Sequence, residues 1–121
     1  MAKYINPLVH DAALDEIATG NLMVVCSAQP TTRTEAVTTY ALADVAMVGG
    51  DFTKAAGDVS GRKVTIAAKS DIVVDATGDA NHVAIVNASE LLAVTTVTQQ
   101  TLTSGNTVSV GSWQVEYRDP S

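Results

Sequence analysis

The sequence predicts a mainly β protein, an antiparallel β-sandwich or barrel-like fold of about seven or eight strands with one short N-terminal helix. Three observations carry that reading. The back half is a train of short Val/Thr-rich runs, and β-branched residues fit a pleated surface better than a helix. Gly, Asp, Asn and Ser punctuate those runs at regular intervals, as turns between strands require. Hydrophobic content is 46% and aromatic content 4%, so the core has to be built from small aliphatic side chains.

Taken in order, residues 1–7 read as an extended arm, because Pro7 disfavours helix at Asn6. Residues 8–18 read as a short helix, with Leu8, Ala12, Leu14 and Ile17 on one face and Gly20 placed to end it. Residues 21–28 form the first strand, broken by Pro30-Thr31-Thr32. Residues 34–41 are ambiguous, a helical start (Thr34, Glu35, Ala36) running into the β-prone Val37-Thr38-Thr39-Tyr40. A strand over 42–48 ends at Gly49-Gly50-Asp51, and 52–59 reads as a loop of small residues.

From there the turns are clearer. Ser60-Gly61 leads into a strand over 62–68, with Val64, Ile66 and Ala68 inward and Lys63, Thr65 and Ala67 opposite. Lys69-Ser70-Asp71 separates it from a strand over 72–75. Thr77-Gly78-Asp79 reverses the chain into 82–87, apolar on both faces and therefore central; Ala88-Ser89-Glu90 turns into 91–98. Ser104-Gly105-Asn106 is placed to turn a hairpin into 107–110. The last strand, 113–118, alternates most sharply: Trp113, Val115 and Tyr117 share one face, and Gln114, Glu116 and Arg118 the other. The domain reading is thus an arm (1–7), one β domain (8–118) and a tail (119–121).

A chain of 121 residues is one domain's length and can bury a core without staples. Its net charge of −6, with seven scattered basic residues, argues against nucleic acid as a partner. No apolar run approaches the roughly 20 residues that span a bilayer, so no membrane partner is expected. Met1 to Pro7 has no apolar core or cleavage site of a signal peptide, and synthesis in a cytoplasm is the expectation. The single cysteine, Cys26, lies in the apolar run Leu22-Met23-Val24-Val25-Cys26 and reads as a small buried hydrophobe.

Five features invite chemistry, and each has a plainer reading. His10, Asp11 and Asp15 do not share the spacing of a helix-borne site, and a solvated helix face accounts for them. His82, Cys26 and Asp75 supply the residue types of a nucleophilic triad, but no glycine elbow or family signature surrounds Cys26. Asp71, Asp75, Asp79 and Asn81 depart from the spacing of a calcium loop and read as turn residues. Gly57 to Lys63 lacks the order of a phosphate loop and leads into a strand; Asn87-Ala88-Ser89 is a formal glycosylation sequon that reads as a turn. The expectation is a non-enzyme with no catalytic residues, no cofactor and no metal.

The chain also resembles a group of small virion proteins of tailed bacteriophages. The resemblance covers nearly its whole length. It is carried by Leu22-Met23-Val24-Val25-Cys26-Ser27-Ala28-Gln29-Pro30, by Thr34-Glu35-Ala36 with Tyr40-Ala41-Leu42-Ala43, and by Gly57 through Thr65. Asp75-Ala76-Thr77-Gly78, His82-Val83-Ala84, Leu102 through Val108 and Arg118-Asp119-Pro120 complete it. It implies a virion structural protein on the capsid surface, a head decoration (cement) protein whose partner is the major capsid protein. A tail or neck component (adaptor or fibre-attachment domain) is the alternative. A homo-oligomer, a trimer for threefold positions, is the expected state. The expected partner-binding residues are Tyr4, Ile5 and Leu8 in and beside the arm, with Trp113 and Tyr117 as further anchors, unless these two simply fill the core.

Overall fold

The computed structural model describes residues 4–118; the first three residues of the expected arm and the expected tail, 119–121, lie outside the described residues. The helix α1 spans Pro7–Ile17, and nine strands follow: β1 (Leu22–Cys26), β2 (Ala41–Ala46), β3 (Phe52–Ala56), β4 (Arg62–Ile66), β5 (Lys69–Val73), β6 (Gly78–Val86), β7 (Leu91–Leu102), β8 (Thr107–Val110) and β9 (Trp113–Tyr117). All pairings are antiparallel, in sheets ordered β2-β1-β6-β7, β3-β4-β9 and β5-β8. The result is the mainly β, sandwich-like architecture expected from the sequence.

One core joins all three sheets. Met23 and Val25 from β1, Val83 and Ile85 from β6, Val64 and Ile66 from β4, and Phe52, Ile72 and Val110 meet there with Leu14 and Ile17 of α1. Alternation explains the allocation: in β1 and β6 these residues point inward, while Val24, Cys26, Ala84 and Val86 point to the sheet's other face. That outer face is covered by residues 31–40, whose Ala36, Val37 and Tyr40 close a second, smaller cluster. β6 is therefore apolar on both sides and interior, as the sequence reading requires.

The ambiguous 34–41 segment resolves into a single π-helical turn, Glu35–Thr39, in which Tyr40 N–H bonds to the Glu35 carbonyl at 2.8 Å, five residues back. Helical and extended preferences meet within the same eight residues, and a single wide turn satisfies the backbone over that short span.

Several expectations are corrected. The helix begins at Pro7, not Leu8, because proline suits the first helical position and the Asn6 side chain caps Leu8 N–H at 2.9 Å. Its buried face is His10, Leu14 and Ile17, whereas Leu8 is 74% exposed and Ala12 is also exposed. Residues 52–56 are a strand, not a loop: Phe52 is buried, and the stretch pairs residue for residue with β4. Ala68 is exposed, since β4 ends at Ile66, while Val64 and Ile66 point inward as expected. Lys69 to Asp71 belongs to β5, where Asp71 takes φ 57° at an irregularity in the β5–β8 register. Thr77-Gly78-Asp79 does not turn the chain; Gly78 already pairs with Leu102 at the start of β6.

Gly20 follows the helix but does more than end it. A Cβ there would lie 2.4 Å from Ile85 Cγ2, so the position has to be bare for helix and sheet to meet.

Candidate functional site

None of the constellations singled out in the sequence is assembled for chemistry. His10 is buried, not solvated, and its ring lies 6.5 Å from that of Tyr117 at a 36° tilt. Asp11 accepts from Arg62 Nε at 2.9 Å, and Asp15 pairs with Lys54 Nζ. These contacts tie α1 to the β3-β4-β9 sheet. The exposed Lys54–Asp15 pair contributes at most about 1 kcal/mol, while Arg62–Asp11 is part-buried.

Cys26 and His82 are direct cross-strand partners, a proximity the sequence did not reveal. The thiol nevertheless points into the smaller cluster, 3.6 Å from the Ala36 carbonyl oxygen, and burial pushes its pKa up to about 11. A thiol held protonated at neutral pH is a poor nucleophile. His82 Nδ1 lies 2.6 Å from Asn81 Oδ1, and the backbone N–H of Asp75 bonds to the Leu42 carbonyl.

The acidic series is dispersed. Asp79 accepts from Thr101 Oγ1 at 2.8 Å, Asn81 is engaged with His82, and Asp71 lies on β5. Among the described residues no group of three or more His, Cys, Asp or Glu converges as metal ligands do. Gly57 to Gly61 forms the β3–β4 turn, closed by Gly57 N–H to the Gly61 carbonyl at 2.9 Å and by the Lys63–Asp58 pair at 2.7 Å. Asn87 Oδ1 accepts from the backbone N–H groups of Ser89 and Glu90, the Asx-type turn that its position between β6 and β7 asks for.

The expected partner-binding residues separate into two places. Tyr4 and Leu8 are 70% and 74% exposed, Val9 is exposed beside them, and Ile5 is half-buried. Together they form an apolar surface at the start of α1. Trp113 and Tyr117 lie at opposite ends of β9, about 13 Å apart at strand rise. Tyr117 is 42% exposed beside the helix, whereas Trp113 and Val115 pack on the main core.

Trp113 also lines a cleft of about 420 Å³ between β7 and β8. Its walls are residues 95–98 and 108–113, and Val25, Ala80 and Val83 line it from the sheet interior. The cleft exists because the expected hairpin does not form. The 103–106 turn is present, with Gly105 at φ 90° and Asn106 N–H bonded to the Thr103 carbonyl at 3.1 Å. Beyond it β8 pairs with β5 and β7 with β6, so the two strands diverge. Trp113 Nε1 is buried at this boundary without a hydrogen-bond partner among the described residues. Leaving such a donor unmet costs about 1–3 kcal/mol. Sequence reasoning missed the cleft because turn chemistry predicts reversal, not which strand the returning chain will choose.

Comparison with protein-family models, with curated proteins and with solved structures finds no match.

Proposed function

We propose that the protein is a structural component of a bacteriophage virion, a head decoration protein that adheres to the major-capsid lattice, without catalysis or cofactor. The observation that carries this reading is the exposed apolar surface formed by Tyr4, Leu8 and Val9. It is held on a capped helix that ion pairs and the buried Leu14 and Ile17 fix to the body of the protein. A rigid, repeated anchor of this kind gains affinity from lattice symmetry, because many weak contacts act together. Binding the expanded shell but not its precursor stabilises the expanded state by mass action. The length-wide resemblance to small virion proteins supports the same assignment.

The test is co-sedimentation of purified protein with expanded shells. Binding at a copy number comparable to that of the shell subunits is expected. A small fixed number set by tail symmetry would assign it to the tail or neck instead. Replacing Leu8 and Val9 together by Asp should abolish attachment without lowering Tm, since both are exposed and acidic residues suit a helix's first turn. Full-strength attachment by that variant would remove α1 as the anchor.

A further inference from the structure

We propose that the β7–β8 cleft is a strand-docking site, which accepts an uncharged extended segment of a different polypeptide between its two open edges. The proposal goes beyond the virion assignment and does not depend on it.

β7, β6, β1 and β2 pair in sequence, β2 meets the end of β5 through the Ala43–Val74 bridge, and β5 pairs with β8. These six strands form a barrel-like wall, joined between β2 and β5 by that single bridge, and among the described residues β7 and β8 do not pair. Each of the two has one edge in a ladder and, among the described residues, no strand on the other. An inserted strand would offer backbone N–H and C=O groups to both edges, which neither a lipid nor a sugar can do along a ladder. It would also complete the wall and remove two edges at once.

Composition supports the same conclusion. Natural proteins blunt open edges with lysine, proline or inward charge. Residues 91–102 and 107–110 contain no charged residue and no proline. Neither edge is guarded by charge or proline, in a chain whose net charge is −6, although β7 shifts register against β6 between Thr96 and Gln100 and β8 is only four residues long.

The lining sets the chemistry of the occupant. Every residue around the cleft is uncharged, and Val25, Ala80 and Val83 give it an apolar base. A charged side chain inserted there would find no counter-ion, so the segment has to be neutral with small or apolar side chains inward.

A second copy of this chain is a poorer fit. Among the described residues the free strand edges it could offer are β7 and β8, which wall its own cleft, and β3 and β9, which carry Lys54 and Glu116; the stretch ahead of α1 carries Lys3, and an uncharged cleft has no counter-ion for any of these charges.

Trp113 is the only tryptophan, so its fluorescence reports on the cleft directly. The probe is a capped heptapeptide of alternating Thr and Val, titrated into the full chain. A saturable emission change is expected, with amide exchange at residues 95–98 and 108–110 slowed about tenfold or more. A matched peptide with Lys in place of Val, and one with N-methylated backbone, should leave both signals unchanged. Val97→Glu and, separately, Ser112→Glu place a charge on the wall at exposed positions and should each weaken peptide binding at least about tenfold. No response to the uncharged peptide overturns the proposal, as does equal binding of the Lys peptide or undiminished binding by both variants. Protection of the same amides that rises with protein concentration alone would assign the cleft to a second copy and overturn the choice of partner.

Discussion

The two faces of the four-stranded sheet each carry a buried apolar cluster, but they are covered differently. The inner face meets α1 and both other sheets through long side chains: Met23, Ile85 and Leu102 interdigitate with Leu14, Phe52 and Ile66. The outer face meets one segment, residues 31–40, through small ones: Val24, Cys26, Ala84 and Val86 against Ala36. Many elements converging on large residues make a cooperative core. One segment laid on small residues makes a local cover, whose stability is decided by fit at close range.

The largest expected effect tests the inner face. Ile85 is fully buried and stands over Gly20, where no side chain can fill a vacancy without backbone movement. Ile85→Ala should cost about 3 kcal/mol, seen as a lower denaturant midpoint with one cooperative transition. A loss no larger than that of an outer-face substitution would break the distinction between core and cover.

Ala36→Leu tests the outer face. Ala36 is fully buried, its carbonyl oxygen lies near Cys26 Sγ, and extra methylenes have nowhere to go. Overpacking should cost about 1–3 kcal/mol. The loss should be confined: amide exchange over 31–40 accelerates, while β6 amides keep most of their protection. Equal loss of protection in β6 would make the segment part of the global core.

The same contrast explains what the sequence made legible. Inner-face strands were readable because Val64 and Ile66 repeat at period two, as a buried face enforces, and because the 82–87 run is apolar on both faces, as an interior strand requires. β3 was missed because Phe52-Thr53-Lys54-Ala55-Ala56 has one large apolar residue and pairs at its sheet's edge, where little burial is needed. The helix's inner face was misjudged because a polar His10 is buried while an apolar Leu8 is not. His10 is accommodated by a neighbour distant in sequence, Tyr117, that no local pattern announces. Chemical candidates failed for a related reason. Residue types can be counted along a chain, but Cys26 beside His82 becomes meaningful only with the register and the burial of the thiol. The cleft was invisible because it arises from a strand, β8, choosing β5 over its neighbour in sequence.

Acid sharpens the comparison further. Glu35 accepts from Thr31 N–H and Thr31 Oγ at 2.8 Å, and these bonds hold its carboxyl below the usual range. A depressed carboxyl contributes stability that is full above its unfolded pKa and is lost as pH falls through the folded value. The outer cover should therefore loosen in acid before the core does, with exchange at Thr31 and its neighbours rising first. Glu35→Gln should remove that pH dependence; a cover whose exchange stays flat with pH in the unaltered protein would show that other contacts hold it.

The smallest effect has the opposite sign. Asp44 stands opposite Val24 on β2, on the outer face, where burial and then the charge of Asp75 raise its pKa. A raised carboxyl binds its proton more tightly when folded, so its charge costs stability above the folded pKa and the cost is relieved as pH falls through it. Asp44 is exposed, which keeps that cost small. Asp44→Asn should stabilise the protein at neutral pH by no more than about 0.5 kcal/mol, with the gain vanishing in acid, as thermal melts across pH would record. A loss of stability at neutral pH would instead make the Asp44 carboxylate a hydrogen-bonded part of the outer surface. The cover would then be held by polar contacts at its margin as much as by the small apolar residues beneath it.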